Sequence, residues 1–154
     1  EVFLPTPGGT TATAVAIAKL RPAAIGLNFH PPSVRFVTDD VARDIVAAVG
    51  TTVEVVGVFV NEPLETILRR VASFPLTSVQ LHGDEPVEFV AALQKAAPRV
   101  RLYRAFRYGV AGMMPIAEEL AALTSAGVDL AGLLIDAAAP GQYGGTGQTV
   151  DWDR

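Results

Sequence analysis

The chain has 154 residues, 50% of them hydrophobic and 18% charged, with a formal net charge of −4. That is enough apolar mass for one packed domain and too much for a disordered chain, and no basic patch marks a nucleic-acid partner. The absence of cysteine excludes disulfides, a thiol nucleophile and a cysteine metal site, and His30 and His82 lack metal-ligand spacing.

Taken in order, short apolar runs alternate with segments of helical spacing. Val2 to Leu4 is a weak first strand running into Pro5, Pro7 and two glycines, and Thr11 to Leu20 has helical character. Ala24 to Phe29 is a clear strand, followed by a helix from Asp39 to Val49. Val53 to Val60 is rich in β-branched residues, and Pro63 to Ala72 follows as a helix. Ser78 to Leu81 precedes a helix from Pro86 to Ala97. Val100 to Phe106 precedes one from Met114 to Ser125, and Gly132 to Asp136 is the last strand. Helix starts are marked by Thr38-Asp39-Asp40, Asn61-Glu62-Pro63 and Asp84-Glu85-Pro86, each offering a cap oxygen and early acids. Gly127 is placed to end the helix before the last strand.

Strand–helix alternation implies right-handed crossovers and a parallel sheet. Strands begin every ~25 residues, and eight such units would need ~200 residues, the small end of a TIM barrel. The expected fold is therefore an α/β, (β/α)8 barrel that is incomplete, with five to six units present and the last two missing. No linker divides residues 1–154, which read as one partial domain. The initial Glu1 and the final Asp151-Trp152-Asp153-Arg154 read as cut ends of a longer chain. An open, flavodoxin-like sheet is the rival architecture, since it needs only five strands.

Polar residues gather where strands end, which is where chemistry sits in parallel α/β folds. Asp136 ends an apolar strand and is a candidate acid; a helix cap or turn is the plainer alternative. Arg35 follows the second strand in a loop stiffened by Pro31 and Pro32, and its planar fork suits a carboxylate or phosphate. Period-two alternation puts Gln80 and His82 on one face and Val79 and Leu81 on the other. Two polar groups aimed at a barrel mouth are costly unless they bind a ligand or each other. An acid, an imidazole and a guanidinium on one rim suit acid–base chemistry on a small anionic substrate. Pro140 to Thr149 holds four glycines, without the lysine and spacing of a phosphate-binding P-loop. It reads as a closing lid or an ordinary turn.

Together these segments resemble the phosphoribosylanthranilate isomerase family of tryptophan biosynthesis. The matching stretches are Ala24 to Phe36, Val56 to Asn61, Val79 to Glu85, Leu133 to Asp136 and Gly144 to Trp152, in the family's order and near its spacing. The resemblance implies a TIM barrel and an Amadori rearrangement of N-(5-phosphoribosyl)anthranilate, a small phosphorylated substrate, with no metal or organic cofactor. It assigns Asp136 as general acid and Arg35 to the anthranilate carboxylate. His82 becomes a pocket residue, and Gly145 and Gly147 part of a mobile substrate-binding loop. The family's general base is a cysteine at the end of the first strand; an ungapped count back from Arg35 puts Thr6 there. A threonine hydroxyl is far too weakly acidic to replace a thiolate. The alternative is a non-catalytic relative that binds an anionic aromatic ligand. No apolar run approaches the ~20 residues of a membrane helix, and no signal peptide is visible. The expectation is a cytoplasmic protein without membrane or nucleic-acid partners, prone to self-association through exposed sheet edges.

Overall fold

A computed structural model describes residues 3–5, 11–20, 22–51, 53–109 and 112–137. Six strands form one sheet: β1 (Phe3–Pro5), β2 (Ala24–Asn28), β3 (Glu54–Phe59), β4 (Ser78–Leu81), β5 (Arg101–Tyr108) and β6 (Leu130–Ala137). Between them run α1 (Thr11–Ala18), α2 (Asp39–Val49), α3 (Leu64–Ser73), α4 (Val87–Ala96) and α5 (Met114–Ser125). Every pairing is parallel, and the order across the sheet is β1-β2-β3-β4-β5-β6. A flavodoxin-like sheet needs an order that reverses. This one advances strand by strand, so the rival architecture is ruled out, and the fold is a run of barrel units with β1 and β6 at its edges.

Alternation sorts the two faces. Ile25 and Leu27 of β2, Val55 and Phe59 of β3, Val79 and Leu81 of β4, and Leu102 and Phe106 of β5 are buried against Ala42, Ile45, Ile67, Val90, Leu93, Ile116 and Leu123 of the helices. All the apolar helix faces pack on that one side, as unidirectional winding requires. Phe29, Phe59 and Phe74 stack within this layer at centroid separations of 5.3 and 5.9 Å. The other face carries the alternate residues: Val56 and Val58 of β3, Gln80 of β4, Tyr103 and Ala105 of β5, and Leu134 of β6. It is the face turned toward the barrel axis.

Helix boundaries follow local chemistry. Thr38 caps α2, its hydroxyl accepting from Val41 N at 3.3 Å. α5 ends in a Schellman turn: Gly127 takes φ 75°, its N–H bonds Thr124 O, and Val128 N bonds Leu123 O. Gln94 of α4 then grips the following loop, donating to Gly127 O at 2.9 Å and accepting from Asp129 N at 2.7 Å. The starts of α3 and α4 differ from expectation. Their caps are Pro63 and Pro86, with no side-chain cap bond, because the oxygens expected there are used elsewhere. Asn61 Oδ1 accepts from Asp84 N at 2.7 Å, and Glu85 turns inward to an arginine. These two rim turns stabilise each other rather than their own helices.

Candidate active site

The C-terminal rim, among the described residues, is assembled from the turns after β2, β3 and β4 and the ends of β5 and β6. After β2, Asn28 Oδ1 accepts from His30 N at 2.9 Å, Asn28 Nδ2 meets Ser33 Oγ at 3.3 Å, and Ser33 Oγ accepts from Arg35 N at 3.2 Å. Val37 N closes the loop by bonding Asn28 O. The proline-stiffened loop is therefore tied to its own strand, and it holds the half-buried Arg35 at the rim. Among the described residues the Arg35 guanidinium has no carboxylate partner.

Two strands away, β4 delivers Gln80 and His82 on the inner face, as alternation demands. Gln80 Nε2 lies 2.9 Å from His82 Nδ1. On the imidazole's other side, His82 Nε2 lies 3.4 Å from Asp136 Oδ2 at the end of β6. That distance is long for an N–H···O bond, as catalytic contacts often are before substrate tightens them. Nε2 is buried and makes no hydrogen bond among the described residues, so its approach to Asp136 is a close contact rather than a bond. Burial holds the His82 pKa below the ordinary imidazole value; the Asp136 carboxylate pulls it up but loses to desolvation. Burial thus favours the uncharged ring, which approaches the Asp136 carboxyl without forming a full ion pair.

The structure thus brings His82 and Asp136 together and records no contact of Arg35 with either. Gly145 and Gly147, with the rest of the glycine-rich loop, lie outside the described residues, as does Thr6. Among the described residues no three His, Asp or Glu side chains converge to hold a metal ion.

Two features escaped the sequence-based expectations. Arg107 stands beside Asp136 in the β5–β6 register and pairs with Asp84 across the rim. The expected strand stopped at Phe106, one residue short of it. The second is a buried ionic clamp. Glu85 accepts from Asn61 N at 2.8 Å and Gly83 N at 3.1 Å, and pairs with Arg104 Nη1. Arg104 also donates to Glu119 of α5 at 2.9 Å and to Glu85 O at 3.1 Å. An arginine between Leu102 and Phe106 on the buried face of the strand was the available signal, since a buried charge requires a partner. The clamp locks the His82-Gly83-Asp84-Glu85 turn to β5, α5 and the turn after β3. Gly83 permits this closeness: a Cβ there would lie 2.7 Å from Asn61 N.

Comparison with known proteins gives one answer. Residues 7–154 match the family described as N-(5'-phosphoribosyl)anthranilate (PRA) isomerase. The N-(5'-phosphoribosyl)anthranilate isomerase of Nostoc punctiforme is 37% identical over 138 residues, covering 90% of this chain and 63% of that protein. That of Geobacter metallireducens is 37% identical over 131 residues, covering 84% and 58%. The chain therefore spans about three fifths of the length of these curated relatives. Among solved structures, phosphoribosyl anthranilate isomerase from Thermotoga maritima superposes with a TM-score of 0.67 at 32% identity, over 94% of this chain and 66% of that one. A phosphoribosyl anthranilate isomerase in complex with reduced 1-(o-carboxyphenylamino)-1-deoxyribulose 5-phosphate superposes at 0.61 with 30% identity, over 84% and 62%.

Proposed function

The chain belongs to the N-(5'-phosphoribosyl)anthranilate isomerase family, and from that premise we propose that it carries the acid side of an Amadori rearrangement in tryptophan biosynthesis. The substrate is N-(5-phosphoribosyl)anthranilate and the product 1-(2-carboxyphenylamino)-1-deoxyribulose 5-phosphate. The observation that carries this reading is the 3.4 Å approach of His82 Nε2 to Asp136 Oδ2 at the ends of two inward-facing strands.

Asp136 gives a proton to the furanose ring oxygen as the C1′–O bond breaks, and the ring opens to an iminium. Transfer of the C2′ proton to water, no side chain being assigned as the base, then gives an enolamine, which tautomerises to the ketone. The carboxylate formed on Asp136 is stabilised by the neighbouring imidazole N–H. Arg35, without a carboxylate partner among the described residues, receives the anthranilate carboxylate by a bidentate contact. Gly145 and Gly147 belong to the loop that covers the bound substrate. No cofactor enters the reaction. No described residue is assigned as the base, the chain having no cysteine. That absence also supports a second reading, a relative that binds the anionic aromatic ligand without turning it over.

The test follows conversion of N-(5-phosphoribosyl)anthranilate by chromatography, in this chain and in the chain completed to its relatives' length. Asp136→Asn should lower kcat about 10²–10⁴-fold, and Arg35→Met should raise KM. Turnover in neither version, with binding retained, establishes the second reading. Full activity in Asp136→Asn removes Asp136 from the mechanism. In the cell the reading places the chain in the cytoplasm; no described helix is long and apolar enough to cross a membrane. Self-association, if it occurs, uses the β1 and β6 edges, and light scattering across protein concentration measures it.

A further inference from the structure

Gln80 lies on the inner face of β4 with only 4% of its surface exposed. Its amide meets the imidazole two residues on. Four atoms define its relation to the acid: Gln80 Nε2, His82 Nδ1 at 2.9 Å from it, and, across the ring, His82 Nε2 at 3.4 Å from Asp136 Oδ2. A neutral imidazole carries one proton, on one nitrogen. Once Asp136 has given up its proton, a bare Nε2 would set a lone pair against the carboxylate, so the proton belongs there. Nδ1 is then an acceptor and requires a donor, which the Gln80 amide NH2 supplies.

We propose that Gln80 is a positioning residue that fixes His82 in its Nε2–H tautomer and so aims that proton at the Asp136 carboxylate. This rests on the proposed isomerase function. As Asp136 transfers its proton to the substrate oxygen, the carboxylate left behind meets a donor already in place, with no ring flip or proton shift during the step. A second observation supports a functional role over a structural one. Gln80 Oε1 is buried without a hydrogen-bond partner among the described residues. An unpaired buried acceptor is unfavourable, and methionine would fill similar space without it. The amide orientation that leaves Oε1 unpaired is the one that presents the NH2 group to Nδ1. The charged groups acting on His82 are Asp136, Glu85 and Arg107; none of them faces Nδ1 with a hydrogen bond that fixes the tautomer among those found for the ring.

The experiment is two-bond 15N–1H correlation NMR on the 15N-histidine chain, with His82→Asn used to assign the two histidines. At pH 7 the His82 ring should show a protonated Nε2 and a bare Nδ1. In Gln80→Glu a carboxylate faces Nδ1, the ring takes a second proton, and its titration midpoint rises by roughly one unit or more. In Gln80→Met the Nδ1 donor is lost and an Nδ1–H population appears. A wild-type ring protonated at Nδ1 overturns the proposal, and so do tautomer and midpoint values unchanged in both variants. In whichever chain length turns over substrate, Gln80→Met should lower kcat roughly tenfold or more with KM unchanged. It should have no added effect in a His82→Asn background. The expected tautomers without turnover in either length would refute the isomerase function alone; turnover with the wrong tautomer would refute only the role of Gln80.

Discussion

Removing the Glu85 side chain is the sharpest perturbation of the rim. Its carboxylate is 2% exposed, receives the Asn61 and Gly83 amides, and pairs with an Arg104 that is 4% exposed. In Glu85→Ala, Arg104 keeps the main-chain carbonyl of residue 85 and, as its one carboxylate, Glu119, which is partly open to solvent. Breaking a buried pair from one side costs about 3–5 kcal/mol. Each amide left without an acceptor costs about 1–3 kcal/mol, and water entering the cavity recovers part of that. A net loss of about 4 kcal/mol is expected, a large share of the ~5–15 kcal/mol that holds a domain together. With a urea slope of about 2 kcal/mol/M the unfolding midpoint should fall by about 2 M. Glu85→Leu combined with Arg104→Met separates the contributions. It removes the uncompensated charge but not the two orphaned amides, so it should regain about half of the loss. Urea titrations followed by circular dichroism measure all three proteins. A loss below about 1 kcal/mol in Glu85→Ala, or a double variant no better than the single one, would refute the clamp as a stabilising unit.

The His82 ring makes stability depend on pH in a defined direction. Its folded pKa is lowered by burial, so below the ordinary value of about 6.5 the unfolded chain binds a proton that the folded chain does not. Stability is unaffected by this group above that pH and falls as pH drops from about 6.5 through the lower folded value. His82→Asn should flatten the change between about pH 7.5 and 5.5, read as urea midpoints; equal slopes in the two proteins would exclude the effect. Gly83→Ala places a methyl 2.7 Å from Asn61 N and should destabilise by about 1–3 kcal/mol, with the thermal midpoint as readout. Thr38→Ala removes the α2 cap and should cost about 1 kcal/mol; a loss under about 0.3 kcal/mol would mean solvent serves the helix end equally well.

The amino-acid sequence by itself determined the alternation of strands and helices, because apolar periodicity and glycine and proline punctuation are local. The bounds of α2, β4 and α5 follow from it directly. It also fixed which residues of β4 share a face, since side-chain direction in a strand has period two. Tertiary structure decided the rest. Whether the strand order advances or reverses depends on how crossovers pack, and no local pattern records that. The distance between His82 and Asp136 spans two strands and 54 positions of chain, and only the curvature and register of the sheet set it. Glu85 shows the limit most clearly: in sequence it sits like a first-turn helix acid, but folding presents it with Arg104 and two unpaired amides. A charged partner and two N–H donors in a dry site outweigh a solvent-exposed helix end, and that competition exists only once the chain has packed.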